Sequence, residues 1–86
     1  MTTVEADKLL KEREESAVFA DGLEKAFIGI GYQFHTPIVI YSQKKAIQCL
    51  EKQGMSELEA IEFYDYNIAG SYVGDNTPIF LDDLDQ

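Results

Sequence analysis

The chain of 86 residues has no tryptophan, one cysteine, two prolines and only seven basic residues. Each scarcity excludes something. A lone Cys49 cannot form an internal disulfide, so stability must come from packing, and a reducing compartment is expected. Its helical setting makes Cys49 a small apolar core group rather than a reactive thiol. Seven basic against sixteen acidic residues give a net charge of −9. That balance disfavours direct nucleic-acid binding, which needs clustered Lys and Arg to neutralise phosphates. No apolar run approaches the roughly 20 residues of a membrane span. The acidic opening MTTVEADKLLKEREE lacks a signal-peptide core, so a cytoplasmic location is expected. The single histidine, His35, falls in the turn His35-Thr36-Pro37, where solvent exposure is the simplest reading. No metal-ligand set or catalytic triad assembles around it, and neither metal nor cofactor is expected.

What is present suits one small domain, residues 1–86. Hydrophobic residues make up 45% of the chain, enough to fill a modest core and too many for a disordered segment. Residues 4–27 are rich in helix formers. Leu9, Ser16, Phe19, Leu23, Ala26, Phe27 and Ile30 recur mostly at spacings of three, four or seven, which is one helical face. A helix of that length would run about 36 Å, far beyond the roughly 12 Å radius of gyration of so short a chain. Its charged half, 1–15, is therefore expected to fray, project, or pack on another copy as a route to a homo-oligomer. Gly22 offers a break. In IGIGYQF, residues 28–34, a strand alternation competes with the helical stripe; the spacing predicts helix to about Ile28, then an irregular or short extended segment. The Gly-x-Gly here follows no strand and opens no helix, so it reads as a backbone turn.

Two pentapeptides nearly repeat: TPIVI at 36–40 and TPIFL at 77–81. Both read as strands with Pro at the start, where its missing N–H does no harm. Between them lie two helices. Ser42 is placed to cap QKKAIQCLEKQ, whose apolar side is Ala46, Ile47, Cys49 and Leu50, with Gly54 just past its end. Ser56-x-x-Glu59 is a capping box, and Met55 can staple onto Ala60. The second helix, ELEAIEFYDYNIAG, would turn Leu58, Ile61, Tyr64 and Ile68 inward and end at Gly70. The expected fold is α+β: an N-terminal helix and a two-stranded antiparallel β-ribbon with an inserted helical hairpin. The tail, 82–86, reads as loose and acidic.

One surface stands out. Glu59, Glu62 and Asp65 step by three along the second helix, with Tyr66 at their edge. A solvated helix face is the bland reading; a partner-binding face is the sharper one. Acidic charge steers a protein towards a basic partner, and tyrosine supplies contact area at low entropy cost. Paired carboxylates could also serve an enzyme, but so short a chain leaves little room for an enclosing pocket.

GMSELEA together with the tail YNIAGSYVGDNTPIF resembles a family of short proteins encoded by bacteriophages and prophages, over residues 24–81. Ser42 stands where that family carries an acidic cap, and residues 32–36 depart from its polar, Cys/Gly-containing pattern. The family brings no assigned activity. The resemblance implies a small acidic, non-enzymatic protein that inhibits or redirects a host protein with a basic surface. A nucleic-acid-handling defence complex would be such a target, as in anti-CRISPR-like inhibition. A structural or oligomeric phage component is the alternative it leaves open.

Overall fold

The computed structural model describes residues 1–83. It begins with α1, Thr3–Glu12, opened by a capping box that composition alone did not announce. The Thr2 hydroxyl accepts from the Glu5 N–H at 3.2 Å, and the Glu5 carboxylate accepts from the Thr2 N–H at 2.9 Å. The helix expected over residues 4–27 stops far earlier. Glu14 adopts the left-handed conformation (φ 59°). The N–H groups of Glu14 and Glu15 turn back onto the carbonyls of Lys11 (3.1 Å) and Leu10 (2.8 Å). This is a Schellman ending with glutamate where glycine is usual. The first helix is thus a short element lying on the body through buried Ala6 and Leu10, not a projecting rod.

An irregular segment and one 3-10 turn, Glu24–Ala26, lead into β1, Phe27–Gln33. Strand alternation wins over the helical stripe here. β1 pairs antiparallel with β2, Thr36–Ser42, from Gln33↔Thr36 to Phe27↔Tyr41, with a bulge between Phe27 and Gly29. The strands are joined by two residues, Phe34 and His35, both at positive φ (52° and 64°). That is type I′ geometry, normally written Asn-Gly. Ser42 ends β2 and caps α2, Gln43–Lys52, accepting from the Lys45 N–H at 3.1 Å. Gly54 at φ 108° closes α2 with the same Schellman pattern seen at Glu14. The Ser56–Glu59 capping box opens α3, Glu57–Phe63, as expected.

The final strand, β3, Ile79–Leu81, corrects the topology. It lies beside β2 and runs parallel to it, pairing Ile79 with Ile40 and Leu81 with Ser42. The sheet is therefore three-stranded and mixed, in the order β1-β2-β3, rather than a two-stranded antiparallel ribbon. The physical reason lies in residues 69–78. After two antiparallel helices, this segment carries the chain back along the sheet before β3 begins, making the long crossover a parallel pair requires. The matched pentapeptides also sit two residues out of register.

The core lies between one sheet face and the helices. Val39, Tyr41, Leu23, Ala26, Ala46, Leu50, Ala60 and Tyr64 form one buried cluster, with Met55 half-buried against it. Tyr41 is fully buried at its centre. Its ring stacks on Phe80 at 5.4 Å and meets Phe27 edge-on at 6.3 Å, while Tyr64 closes on Phe80 at 5.6 Å. The Tyr41 hydroxyl accepts from the Ala20 N–H at 2.8 Å, so the buried phenol is satisfied and the irregular segment is tied down.

The acidic end is not loose where it is described. The Asp83 carboxylate accepts from the Ser42 hydroxyl and from the Lys44 N–H at the start of α2. Those bonds, the Ser42 hydroxyl's first, hold its pKa below the usual range. The rest of the expected acidic tail, 84–86, lies outside the described residues.

Candidate functional site

The expected site lies on α3 and the turn that follows it. Beyond Phe63 the helix widens into a π turn, Tyr64–Ile68, marked by the Ala69 N–H bonding the Tyr64 carbonyl at 2.9 Å. The inward positions Ala60, Tyr64 and Ile68 are spaced by four, a spacing that drifts around a regular helix. The wider turn brings Ile68 back towards the core. Such turns recur at functional sites.

Glu59, Glu62, Asp65 and Tyr66 are all exposed, Tyr66 to 85%. They are not equivalent. The Glu59 carboxylate accepts from the Ser56 N–H at 2.8 Å, and its own N–H donates to the Ser56 hydroxyl at 3.2 Å. The bond from the Ser56 N–H, and after it the Ser56 hydroxyl beside the carboxylate, hold Glu59 below the ordinary carboxylate range. Glu59 is thus part of the helix cap, while Glu62 and Asp65 remain as the acidic groups of the face. Asp65 lies within the π turn, where a spacing of three no longer defines a straight row.

The helix also sits differently from expectation. Leu58 and Ile61, predicted to face inward, are exposed, and Ala60 points into the core instead. Ala46 on α2 and Ala60 on α3 are both completely buried in the shared cluster. Small residues at these positions allow the two helices to approach, and Leu58 and Ile61 are left outside. The α3 surface therefore mixes Leu58, Ile61 and Tyr66 with Glu62 and Asp65. Sequence periodicity missed this, because the period fits either face and only packing decides.

The neighbouring helix carries the opposite sign. Lys45 and Lys52 of α2, with Lys25, border half-buried Cys49 in a shallow depression. A cleft of about 360 Å³ opens between the irregular segment, α3 and the 71–78 crossover. Phe19, Leu23, Phe63, Val73 and Phe80 line it, and among the described residues Asp21 is its one charged group. Among the described residues no group of three or more His, Cys, Asp or Glu is placed to hold a metal ion, and no helix is long and apolar enough to cross a membrane.

Comparison of the chain with protein-family models, with curated proteins and with solved structures finds no match.

Proposed function

We propose that this protein is a small acidic binding protein of the bacteriophage type, acting by docking on a basic surface of a host protein rather than by catalysis. The observation that carries the reading is the outward face of α3 and its π turn. Glu62 and Asp65 supply charge there, and Leu58, Ile61 and Tyr66 supply apolar area that the fold does not bury. Charge speeds encounter, whereas affinity needs a desolvated anchor, and an aromatic ring is the usual one. Inhibition or redirection of a nucleic-acid-handling defence complex fits this surface, since such proteins present basic grooves. A carboxylate-based enzyme fits less well, because Glu59 is committed to the helix cap and does not pair freely with Glu62.

The test is kinetic. With the partner captured from host lysate, Glu62→Lys combined with Asp65→Lys should weaken binding at least about tenfold while the fold survives. Tyr66→Ala should speed dissociation more than it slows association. Affinity should fall as salt rises, because exposed charges are screened beyond about 8 Å at physiological ionic strength. Unchanged binding by the Lys variant would remove the acidic face from the mechanism.

A further inference from the structure

The acidic face does not account for the β1–β2 hairpin, which has the opposite character. Residues 26–43 contain no Asp, Glu, Lys or Arg, although the whole chain has 23 such residues split sixteen to seven. β1 is an edge strand. Among the described residues, no backbone hydrogen bond beyond the ladder to β2 involves residues 28–33. Natural edge strands are usually blunted by Lys, Pro or an inward charge. This one has none of these, and its only bulge lies at the far end, near Ile28.

The direction of the open groups follows from the turn. In a two-residue hairpin the closing pair, here Gln33↔Thr36, exchanges hydrogen bonds, and alternation then points Gly31 towards β2 as well. The N–H and C=O groups of Ile30 and Tyr32 therefore face outward. Exposed side chains accompany them: Ile28 and Tyr32 are half exposed, and Phe34 is 91% exposed. Phe34 is doubly anomalous, since it is almost wholly exposed and occupies a left-handed conformation that bulky residues avoid.

We infer that β1 is a self-association edge, and that two copies pair antiparallel through it into one continuous six-stranded sheet. The strand is complementary to itself about Gly31. A two-fold axis there sets Ile30 opposite Tyr32 of the second copy, as hydrogen-bonded pairs of an aromatic and a β-branched residue. The same register brings Phe34 alongside Ile28 of the second copy, which gives the exposed ring its contact. Charge selects the occupant. Two molecules of net charge −9 repel over most of their surfaces, and this hairpin lets them touch through strands that carry no charge of their own. A partner recruited by charge would find nothing to attract it here. The charges that touch Tyr32, Arg13 and Glu15, are opposite in sign and both hydrogen-bonded to its hydroxyl.

Salt separates this proposal from the basic-partner reading. Self-pairing should tighten as salt screens the mutual repulsion, whereas docking on a basic surface should weaken. Sedimentation of the whole chain at about 0.05 M and about 0.5 M salt should show more dimer at the higher value. In a mixture of labelled and unlabelled protein, nuclear Overhauser contacts should link Ile30 methyls to the Tyr32 ring across copies. Ile28→Lys, a charge on the edge, should weaken the dimer at least about tenfold. Phe34→Asn should also weaken it while raising the thermal midpoint, because asparagine tolerates the left-handed conformation. A purely structural Phe34 would move the midpoint alone. A monomer up to about 1 mM at both salts would overturn the proposal. So would a dimer indifferent to both variants, or one that loosens as salt rises. An edge that instead captures an extended segment of another protein would leave the chain monomeric, and that result equally overturns self-pairing.

Discussion

The molecule contains two hairpins built on opposite terms. The helical hairpin of α2 and α3 turns through Gly54, which adopts positive φ without steric cost, and side-chain caps satisfy both helix starts. Its outer surfaces carry Lys on α2 and, on α3, Glu beside exposed Leu58 and Ile61. The β-hairpin turns through Phe34 and His35, both held in a conformation that costs non-glycine residues on the order of 1–2 kcal/mol each. It carries no charge and leaves an edge open. The helical pair satisfies its backbone requirements within itself and offers side chains, Leu58, Ile61 and Tyr66, for contact. The strand pair leaves backbone groups open at its edge, and its contact with a second copy would be made through them.

Tyr41 of β2 links the two hairpins: it shares the buried cluster with Ala46, Leu50, Ala60 and Tyr64, and it stacks on Phe80, which Tyr64 meets edge-on. The largest effect on the contrast should therefore come from Tyr41→Ala. Removing the stacked ring and orphaning the Ala20 N–H should cost about 3–5 kcal/mol, read by denaturant unfolding. If the loss is below about 1 kcal/mol, the hairpins are held together by something other than this aromatic column.

A smaller effect tests whether the helical hairpin stands on its caps. Ser56→Ala should cost about 0.5–2 kcal/mol and Ser56→Gly only a few tenths, by the same measurement. Equal stability of Ser56→Ala and wild type would mean that the capping box contributes nothing.

The smallest effect concerns acid. Glu59 sits below its ordinary pKa in the folded state, so its contribution is present above the unfolded value of about 4.3. It is lost as pH falls through the lower folded value. Glu59→Gln should therefore be less stable than wild type at neutral pH, and the gap should narrow on acidification below about pH 4.5. Thermal midpoints of both proteins across pH 3–7 (roughly the carboxylate range) check this. A gap independent of pH would show that the glutamine reproduces the cap or that charge is irrelevant to it.

Much of the helical hairpin was legible because its boundaries are written in residues with one strong local meaning: Ser42, Gly54, Ser56 and Glu59. The remainder failed where a boundary was written in an unusual residue. Glu14 ends α1 in a role that glycine would have advertised, and Phe34-His35 makes a turn that Asn-Gly would have announced. Without that turn signal, the alternation of residues 28–34 could not be assigned to a hairpin. The parallel course of β3 was hidden for a different reason: strand direction depends on how the 69–78 crossover runs, and no local residue pattern encodes that. The candidate site was legible as a set of exposed residues. Division of labour within it was not, since Glu59 serves both the capping box and the acidic row by sequence, and only geometry assigns it to the cap.

The buried phenols give the protein an optical report on its own integrity. With no tryptophan to dominate the ultraviolet signal, absorbance and emission come from tyrosine. Burial, the main cause at both sites, raises the pKa of Tyr41 and Tyr64 above the ordinary phenol value. Their ionisation under alkali is thereby coupled to opening of the core. A late step in a phenolate absorbance titration would mark loss of the packing that joins the two hairpins, without any added dye or label.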